Sequence, residues 1–288
     1  MTFSTINDFY VSVDELAHGP SAKQGVSNDD ETRLRRYGAT LIWQACHRLE
    51  LPMCVYSTAC VLLHRFYCKE SLAEYDVRIM ACAVFWMSCK LEEVIDCDDP
   101  SKLRLRDVLV MFYDCICRGN GEQSGRMYLL NVYSTFYADF KGAVIKAERD
   151  MLRCFGFVMH VEHAVPFVLT LGAQLGMASR RDALQTAYNI ASDSLRTTLC
   201  VRVKAECVAC AALFLAAERH GLELPAGWWD GCGVDWVSLE TCCRAMADLY
   251  DEDCGNAATG ADYVCLSSNF LTFDSRNDSD AIVVDSSG

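Results

Sequence analysis

The chain has 288 residues, of which 52% are hydrophobic and 23% charged, a composition typical of a globular protein with room for two modest domains. Its formal net charge of −13 argues against a broad electrostatic footprint for nucleic acid or for an anionic membrane. No apolar run approaches the roughly 18–20 residues of a membrane span, and the N-terminus lacks the pattern of a signal peptide. We therefore expect the chain to reside in a reducing compartment and to bind neither membrane nor nucleic acid directly.

The first half of the chain shows the spacing of amphipathic helices after an unpatterned start. Residues 1–31 show no hydrophobic periodicity and are expected to form a flexible N-terminal arm. Beyond them, apolar residues recur at three- and four-residue steps, the pattern of helices with one buried face. The helices expected in this half span residues 32–50, 53–69, 76–94, 102–118 and 128–155. Asp76 is the expected N-cap of the third helix.

Two glycine-rich or polar segments interrupt these helices and are expected to be loops. Residues 119–125 follow a helix and lack the lysine and hydroxyl of a phosphate-binding loop, so a surface loop is the better interpretation. Residues 157–163 form the expected connector to the second half. None of the five prolines lies in the interior of a predicted helix, where proline would break the hydrogen-bond ladder.

The second half repeats the helical pattern and ends in an acidic segment. Its expected helices span residues 164–176, 180–197, 204–220 and 235–250. No segment shows the sustained alternation of a half-buried strand, so the sequence predicts an all-α fold. Residues 251–288 carry eight acids and one arginine and are expected to form a disordered acidic tail.

The search for catalytic chemistry finds little. The 18 cysteines lie mostly in apolar helical patterns, where cysteine packs as a small hydrophobe. Cys207 and Cys210 form a single C-x-x-C pair, whereas a structural zinc site needs further ligands at suitable spacing. No nucleophile motif, carboxylate pair or cofactor fingerprint is visible. We therefore expect no catalytic residue, no cofactor and no metal, and we interpret the chain as an interaction protein.

The segment from residue 80 to residue 94 is the most distinctive part of the sequence. It is apolar nearly all round and carries charge only at its end, where Lys90, Glu92 and Glu93 crowd the last turn. This pattern is typical of a central helix that presents one end to a partner.

This helix resembles the third helix of a cyclin box, in which an S-K-[LI]-E-E sequence carries the lysine that contacts the partner kinase. Five further segments match cyclins in order along the chain. They are residues 62–67 (L-L-H-R-F-Y), 106–108 (R-D-V), 144–152 followed by F-G-F at 155–157, 193–198 (D-S-L-R-T-T) and 207–217. The resemblance covers about residues 33 to 250 and is specific as a set. It points to the L-type cyclins, with K, T and C types as neighbours.

The resemblance implies a fold and a function. The fold is two tandem cyclin boxes, each a bundle of five orthogonal helices, at residues 32–156 and 157–250, between the mobile arm and the acidic tail. The implied function is non-catalytic: a regulatory subunit that binds and activates a cyclin-dependent serine/threonine kinase in RNA polymerase II transcription and pre-mRNA processing, including splicing. Some transcriptional cyclin complexes contain a third subunit, and the resemblance does not decide whether one joins this chain and its kinase.

The resemblance also implies a set of kinase-contact residues. Lys90 and Glu148 are expected to meet at one surface, where they hydrogen-bond main-chain groups beside the kinase's regulatory helix. The apolar surround is expected from Leu91, Leu152, Phe157 and Met159. From the residues alone, an ordinary solvated ion pair is the alternative.

Three alternatives remain at this stage. A K-, T- or C-type cyclin would act mainly on the polymerase tail. A cyclin-fold general transcription factor would bind DNA, which the acidic chain disfavours. A thiol enzyme would need a cysteine activated by a histidine or a helix N-terminus. Familiar L-type cyclins carry a long arginine/serine-rich tail, whereas the tail expected here is short and acidic. We expect a nuclear location, reached together with the kinase because no basic import cluster is visible, with the cytoplasm as the alternative.

Overall fold

The computed structural model describes residues 10–95, 103–119, 127–256 and 281–284, and within them the chain is mostly helical. The helices are α1 (Val13–Ala17), α2 (Pro20–Lys23), α3 (Asn28–Arg48), α4 (Met53–Lys69), α5 (Val77–Leu91), α6 (Leu105–Gly119), α7 (Thr135–Cys154), α8 (Ala164–Gln174), α9 (Arg181–Asp193), α10 (Ala205–Arg219) and α11 (Trp236–Asn256). Strands β1 (Met127–Leu130) and β2 (Ala281–Val284) pair in an antiparallel ribbon. The prediction of an all-α fold is confirmed, although it did not include this two-stranded ribbon.

The described residues divide into two compact units. One contains residues 18–159 and strand β2, and so holds helices α2 to α7. The other contains residues 10–17 and 160–256, and so holds α1 together with α8 to α11. In this second unit, the backbone N–H of Val11 donates to the carbonyl of Val201 at 2.9 Å, which fixes the N-terminal segment to it.

The N-terminal arm predicted for residues 1–31 needs correction over its described part. Helix α3 begins at Asn28, because the Ser27 side chain accepts a hydrogen bond from the backbone N–H of Asp30 at 3.1 Å and caps the helix. Glu31 is buried, and its carboxylate accepts from Arg35 Nε at 2.8 Å. The segment is therefore folded from residue 10 onwards, through short helices and polar caps that leave no hydrophobic period to detect.

Two other helix boundaries differ from the predicted ones because of local hydrogen bonds. Helix α7 begins at Thr135 rather than at residue 128, since Ser134 caps it by accepting from the N–H of Tyr137. Helix α9 ends at Asp193 rather than at residue 197. Past that point, the hydroxyls of Ser194 and Thr197 donate to backbone carbonyls at 2.7 and 2.6 Å, and the chain continues as 3₁₀ turns.

Some predicted features lie wholly or partly outside the described residues. They are the arm over residues 1–9, the start of the helix expected at residue 102, the loop over residues 120–126, and the tail over residues 257–280 and 285–288. The last turns of α11 and strand β2 fall within the range predicted as tail.

Helix α5 lies at the centre of the first unit and packs against α3, α4, α6 and α7. Helix α3 can approach α4 and α5 closely because residue 38 is a glycine. A Cβ atom at Gly38 would lie 2.7 Å from Val77 Cγ2 of α5 and 2.8 Å from Leu63 Cδ2 of α4. The buried Asp114 of α6 ion-pairs with Arg48 at the end of α3 and with Arg118, whose Nε lies 2.8 Å from Asp114 Oδ2. This carboxylate therefore joins α3 to α6.

Replacing Asp114 tests this connection. Asp114→Ala leaves two arginines without their buried counter-ion, and we expect the free energy of unfolding to fall by about 3 kcal/mol, the low end of the range for breaking a buried pair. The low end applies because both arginine side chains reach solvent. The measurement is urea unfolding followed by circular dichroism. Glu240→Ala, which removes an exposed pair with Arg244, is the matched control and should cost less than about 1 kcal/mol.

Candidate functional site

Helices α5 and α7 bring Lys90 and Glu148 together. Helix α5 begins after Asp76, whose carboxylate accepts from the N–H of Arg78 at 2.8 Å, so the expected N-cap is confirmed. Lys90 lies in the last turn of this helix. Lys90 Nζ forms an ion pair and a hydrogen bond with Glu148 Oε1. Two residues separated by 58 positions therefore meet.

The ion pair lies at the surface and not in the core. The Lys90 side chain is 40% exposed and that of Glu148 16% exposed. One helical turn before Lys90, the ring of Trp86 lies 5.6 Å from Nζ, within the range of a cation–π interaction. The ammonium group is therefore held between a carboxylate and an aromatic face, while still open to a partner. An ion pair at the surface contributes little to the stability of the fold. Its two side chains can therefore take part in the recognition of a partner protein.

The four apolar residues expected around the pair differ in their exposure. Leu91 is 43% exposed and Phe157 72% exposed, whereas Leu152 and Met159 are half-buried. The α7 C-terminus explains the exposure of Phe157. The N–H of Phe157 donates to the carbonyl of Leu152 at 3.0 Å and that of Gly156 to Arg153 at 3.1 Å, the two bonds of a Schellman motif.

The turn that presents Phe157 is conformationally unusual. Gly156 and Phe157 both have positive φ, at 57° and 64°. For a residue with a side chain this conformation costs on the order of 1–2 kcal/mol and must be held by its surroundings. The turn therefore holds a large apolar side chain in water at a conformational cost.

The structure adds residues that the sequence interpretation missed. Glu92 accepts a hydrogen bond from Thr58 Oγ1 at 2.6 Å, which ties the end of α5 to α4. Ile145 is 39% exposed and lies one turn before Glu148 on α7. Trp86 could have been found from its four-residue spacing to Lys90, and Ile145 from its three-residue spacing to Glu148. The contact of Thr58 with Glu92 depends on tertiary packing and has no sequence signal.

The cysteines do not form a reactive site in the described residues. Burial raises the pKa of Cys46 and Cys154 to about 11 and that of Cys89 to about 12. The sulfur atoms of Cys207 and Cys242 lie 3.4 Å apart, and the hydrogen bond between them lowers the pKa of Cys207 and raises that of Cys242. Both side chains are buried, so a substrate does not reach them.

Two wider searches of the described residues complete the site survey. No group of three or more His, Cys, Asp or Glu side chains there is arranged to hold a metal ion. None of the helices that the structure describes has the length and hydropathy to cross a membrane.

The fold is that of cyclins. A chain of the yeast RNA polymerase II CTD kinase CTDK-1 complex superposes with a TM-score of 0.67 at 16% identity, covering 84% of this chain and 72% of that one. A chain of the Chaetomium thermophilum CAK complex superposes with a TM-score of 0.59, also at 16% identity, covering 87% of this chain and 81% of that one. The Cyclin, N-terminal domain family matches residues 7–113. The fold and this matched domain thus indicate a cyclin-box protein.

Sequence relatives narrow the class. Cyclin-L1-1 of Oryza sativa subsp. japonica is 38% identical, over 87% of this chain and 56% of its own length. Cyclin-L1-1 of Arabidopsis thaliana is 37% identical, over 96% of this chain and 63% of its own length. Human Cyclin-L1 is 31% identical, over 85% of this chain and 45% of its own length. With a cyclin domain matched at residues 7–113 and these relatives, the chain is cyclin L-like. It spans about half to two thirds of the length of these curated relatives.

The surface position of the Lys90–Glu148 pair gives a stability prediction. Because both groups reach solvent, Lys90→Ala and Glu148→Ala should each lower the free energy of unfolding by less than about 1 kcal/mol. Urea unfolding measures the change. A loss as large as that expected for Asp114→Ala would mean that the pair holds the fold together and would remove the basis for its role in recognition.

The cysteine environment gives a reactivity prediction. With its pKa raised from 9.0 to about 11, Cys154 should be alkylated by iodoacetamide at pH 8 about a hundredfold more slowly than an ordinary thiol, because the thiolate fraction falls by that factor. Peptide mass mapping at timed intervals measures the rate, with the chain unfolded in urea as the control. A cysteine modified faster in the folded chain than in urea would revive the thiol-enzyme alternative.

Proposed function

We propose that this chain is the regulatory subunit of a cyclin-dependent serine/threonine kinase that acts in RNA polymerase II transcription and pre-mRNA processing, including splicing. The chain itself supplies no catalytic group and no cofactor. In this proposal the two cyclin boxes correspond to residues 32–156 and 157–250, and the protein works in the nucleus, where it arrives together with its kinase.

The observation that carries the proposal is the Lys90–Glu148 pair at the surface, with the exposed Leu91 directly after Lys90 in the chain. The pair joins α5 to α7, and both Leu91 and Phe157 are open to solvent. A polar pair next to uncovered apolar side chains matches a protein interface, with charged groups setting orientation and apolar groups supplying affinity. The six proposed contacts are Lys90, Glu148, Leu91, Leu152, Phe157 and Met159.

The proposed mechanism is a shift of the kinase between two conformations. Lys90 donates to main-chain carbonyls and Glu148 accepts from main-chain N–H groups beside the kinase's mobile regulatory helix. Leu91 and Phe157 cover the apolar side of that helix. The cyclin binds the inward arrangement of the helix better, so that arrangement becomes populated and the kinase's own lysine–glutamate pair forms.

Relatives support the L-type assignment over the K, T and C types. The similarity to Cyclin-L1-1 of Arabidopsis thaliana runs over 96% of this chain and so includes both units. The neighbours of known structure belong to complexes named for CTD kinase, CAK and TFIIK, which supports a transcriptional kinase as the partner class. Whether a third subunit joins this chain and its kinase is an outcome of the experiment below.

The test is a pull-down of the tagged full chain from its native cells. Wild type is compared with Lys90→Ala/Glu148→Ala, and the bound proteins are identified by mass spectrometry and assayed for kinase activity on a polymerase-tail peptide. We expect wild type to recover a cyclin-dependent kinase and the double variant to lose at least about tenfold, since truncating close charge pairs at an interface costs about 2 kcal/mol or more.

Arg244→Ala/Glu240→Ala is the matched control, because it removes an exposed ion pair from α11 and should keep the kinase. A kinase retained equally by wild type and by the Lys90/Glu148 variant would move the contact to another surface. Recovery of promoter DNA and its factors in place of a kinase would overturn the regulatory-subunit proposal.

A further inference from the structure

Helix α7 carries a basic surface next to the proposed kinase contacts. With 3.6 residues per turn, Lys146, Arg149 and Arg153 project within a sector of about 60°. Glu148 and Leu152 project on one side of that sector, also from α7. We refer to Lys146, Arg149 and Arg153 as the basic ridge.

The basic ridge is open and largely unneutralised. All three side chains are exposed. Arg153 is 75% exposed and meets Asp150 only at 3.7 Å, whereas Lys146 and Arg149 form no ion pair within the described part of the chain. Glu148, directly before Arg149, pairs with Lys90, and Asp150, directly after Arg149, pairs with Arg153.

This concentration of positive charge is unexpected in a chain with a net charge of −13. With 39 acidic residues against 26 basic ones, carboxylates to pair with these cations are plentiful. Yet the ridge places three cations on two turns of one helix, where they repel one another at three- and four-residue spacing. An anionic partner would relieve that repulsion.

Gly142 leaves space at the N-terminal end of the ridge. It projects in the same sector, one turn before Lys146, and a Cβ atom there would meet nothing within 4 Å. Glycine inside a helix costs about 1 kcal/mol relative to alanine, and here no neighbouring atom requires it. Its absent side chain lets a bound group approach the helix backbone closely.

We propose that the basic ridge binds a phosphorylated peptide segment. A phosphate group carries close to two negative charges and three acceptor oxygens, and the planar guanidinium groups of Arg149 and Arg153 match it with two donors each. A long nucleic acid is disfavoured, since it would extend over the acidic remainder of the chain. A peptide with one or two phosphates needs only the ridge.

The position of the ridge suggests which phosphopeptide it takes, and this step rests on the proposed function. If a kinase binds the adjacent surface, the ridge and the active site of that kinase belong to one complex. A ridge that holds a phosphorylated segment keeps the next serine or threonine of a repetitive substrate near the kinase, and so favours repeated phosphorylation of one chain.

Binding is tested on the full chain alone, without any kinase. Fluorescence anisotropy compares a labelled serine-rich peptide carrying two phosphoserines with its unphosphorylated form and with a single-stranded RNA of equal charge. We expect the phosphopeptide to bind most tightly. We also expect Lys146→Gln/Arg149→Gln/Arg153→Gln to weaken it about tenfold or more, because charge-assisted hydrogen bonds are lost. Circular dichroism checks that the variant stays folded.

The matched control, Lys23→Gln/Arg181→Gln/Lys204→Gln, removes three exposed cations elsewhere and should bind like wild type. Equal weakening by the control, or RNA binding as tight as that of the phosphopeptide, would overturn the proposal. So would a ridge variant that binds phosphopeptide normally but loses the kinase in the pull-down. Phosphopeptide binding without kinase recovery would instead contradict the proposed function alone.

Discussion

The nearly complete burial of α5 is the constraint on which the first unit depends. From Ile79 to Cys89 every side chain of this helix except Trp86 is buried. A helix enclosed on all sides cannot hold charge along its length, because an unpaired buried ion costs several kcal/mol. Charge is therefore confined to its last turn, where Lys90 reaches solvent. The position of the proposed contact surface follows from the packing of the core.

Stability and recognition are served by different ion pairs in this unit. Asp114 is fully buried between Arg48 and Arg118 and joins two helices. Lys90 is exposed and Glu148 is half-buried, and a pair at the surface contributes at most about 1 kcal/mol to folding. A side chain that adds little to stability can exchange its partner at little cost. The exposed pair is thus suited to reorganise on a kinase, whereas the buried one is not.

The helices and the central pairing could be predicted from the sequence because they follow from local periodicity and from a specific motif. Helix α4 runs from Met53 to Lys69 as predicted, and Asp76 caps α5. The folded N-terminal segment escaped prediction, since it is held by polar bonds such as that of Ser27 with Asp30. The exposure of Phe157 depends on a positive φ that hydrophobic spacing cannot report.

Helix α7 combines two kinds of recognition on neighbouring sectors. Phe140, Val144, Ala147 and Met151 are buried and fix its rotation against the core. Once that face is fixed, Glu148 and Leu152 must project beside α5, and Arg149 and Arg153 must project farther round. A rigid helix therefore holds the proposed kinase contacts and the basic ridge at a constant separation. A kinase bound at the proposed contacts and a phosphorylated segment bound at the basic ridge are then held at a fixed distance. The effective concentration of the segment near the kinase follows from that distance alone and needs no conformational coupling between the two sites.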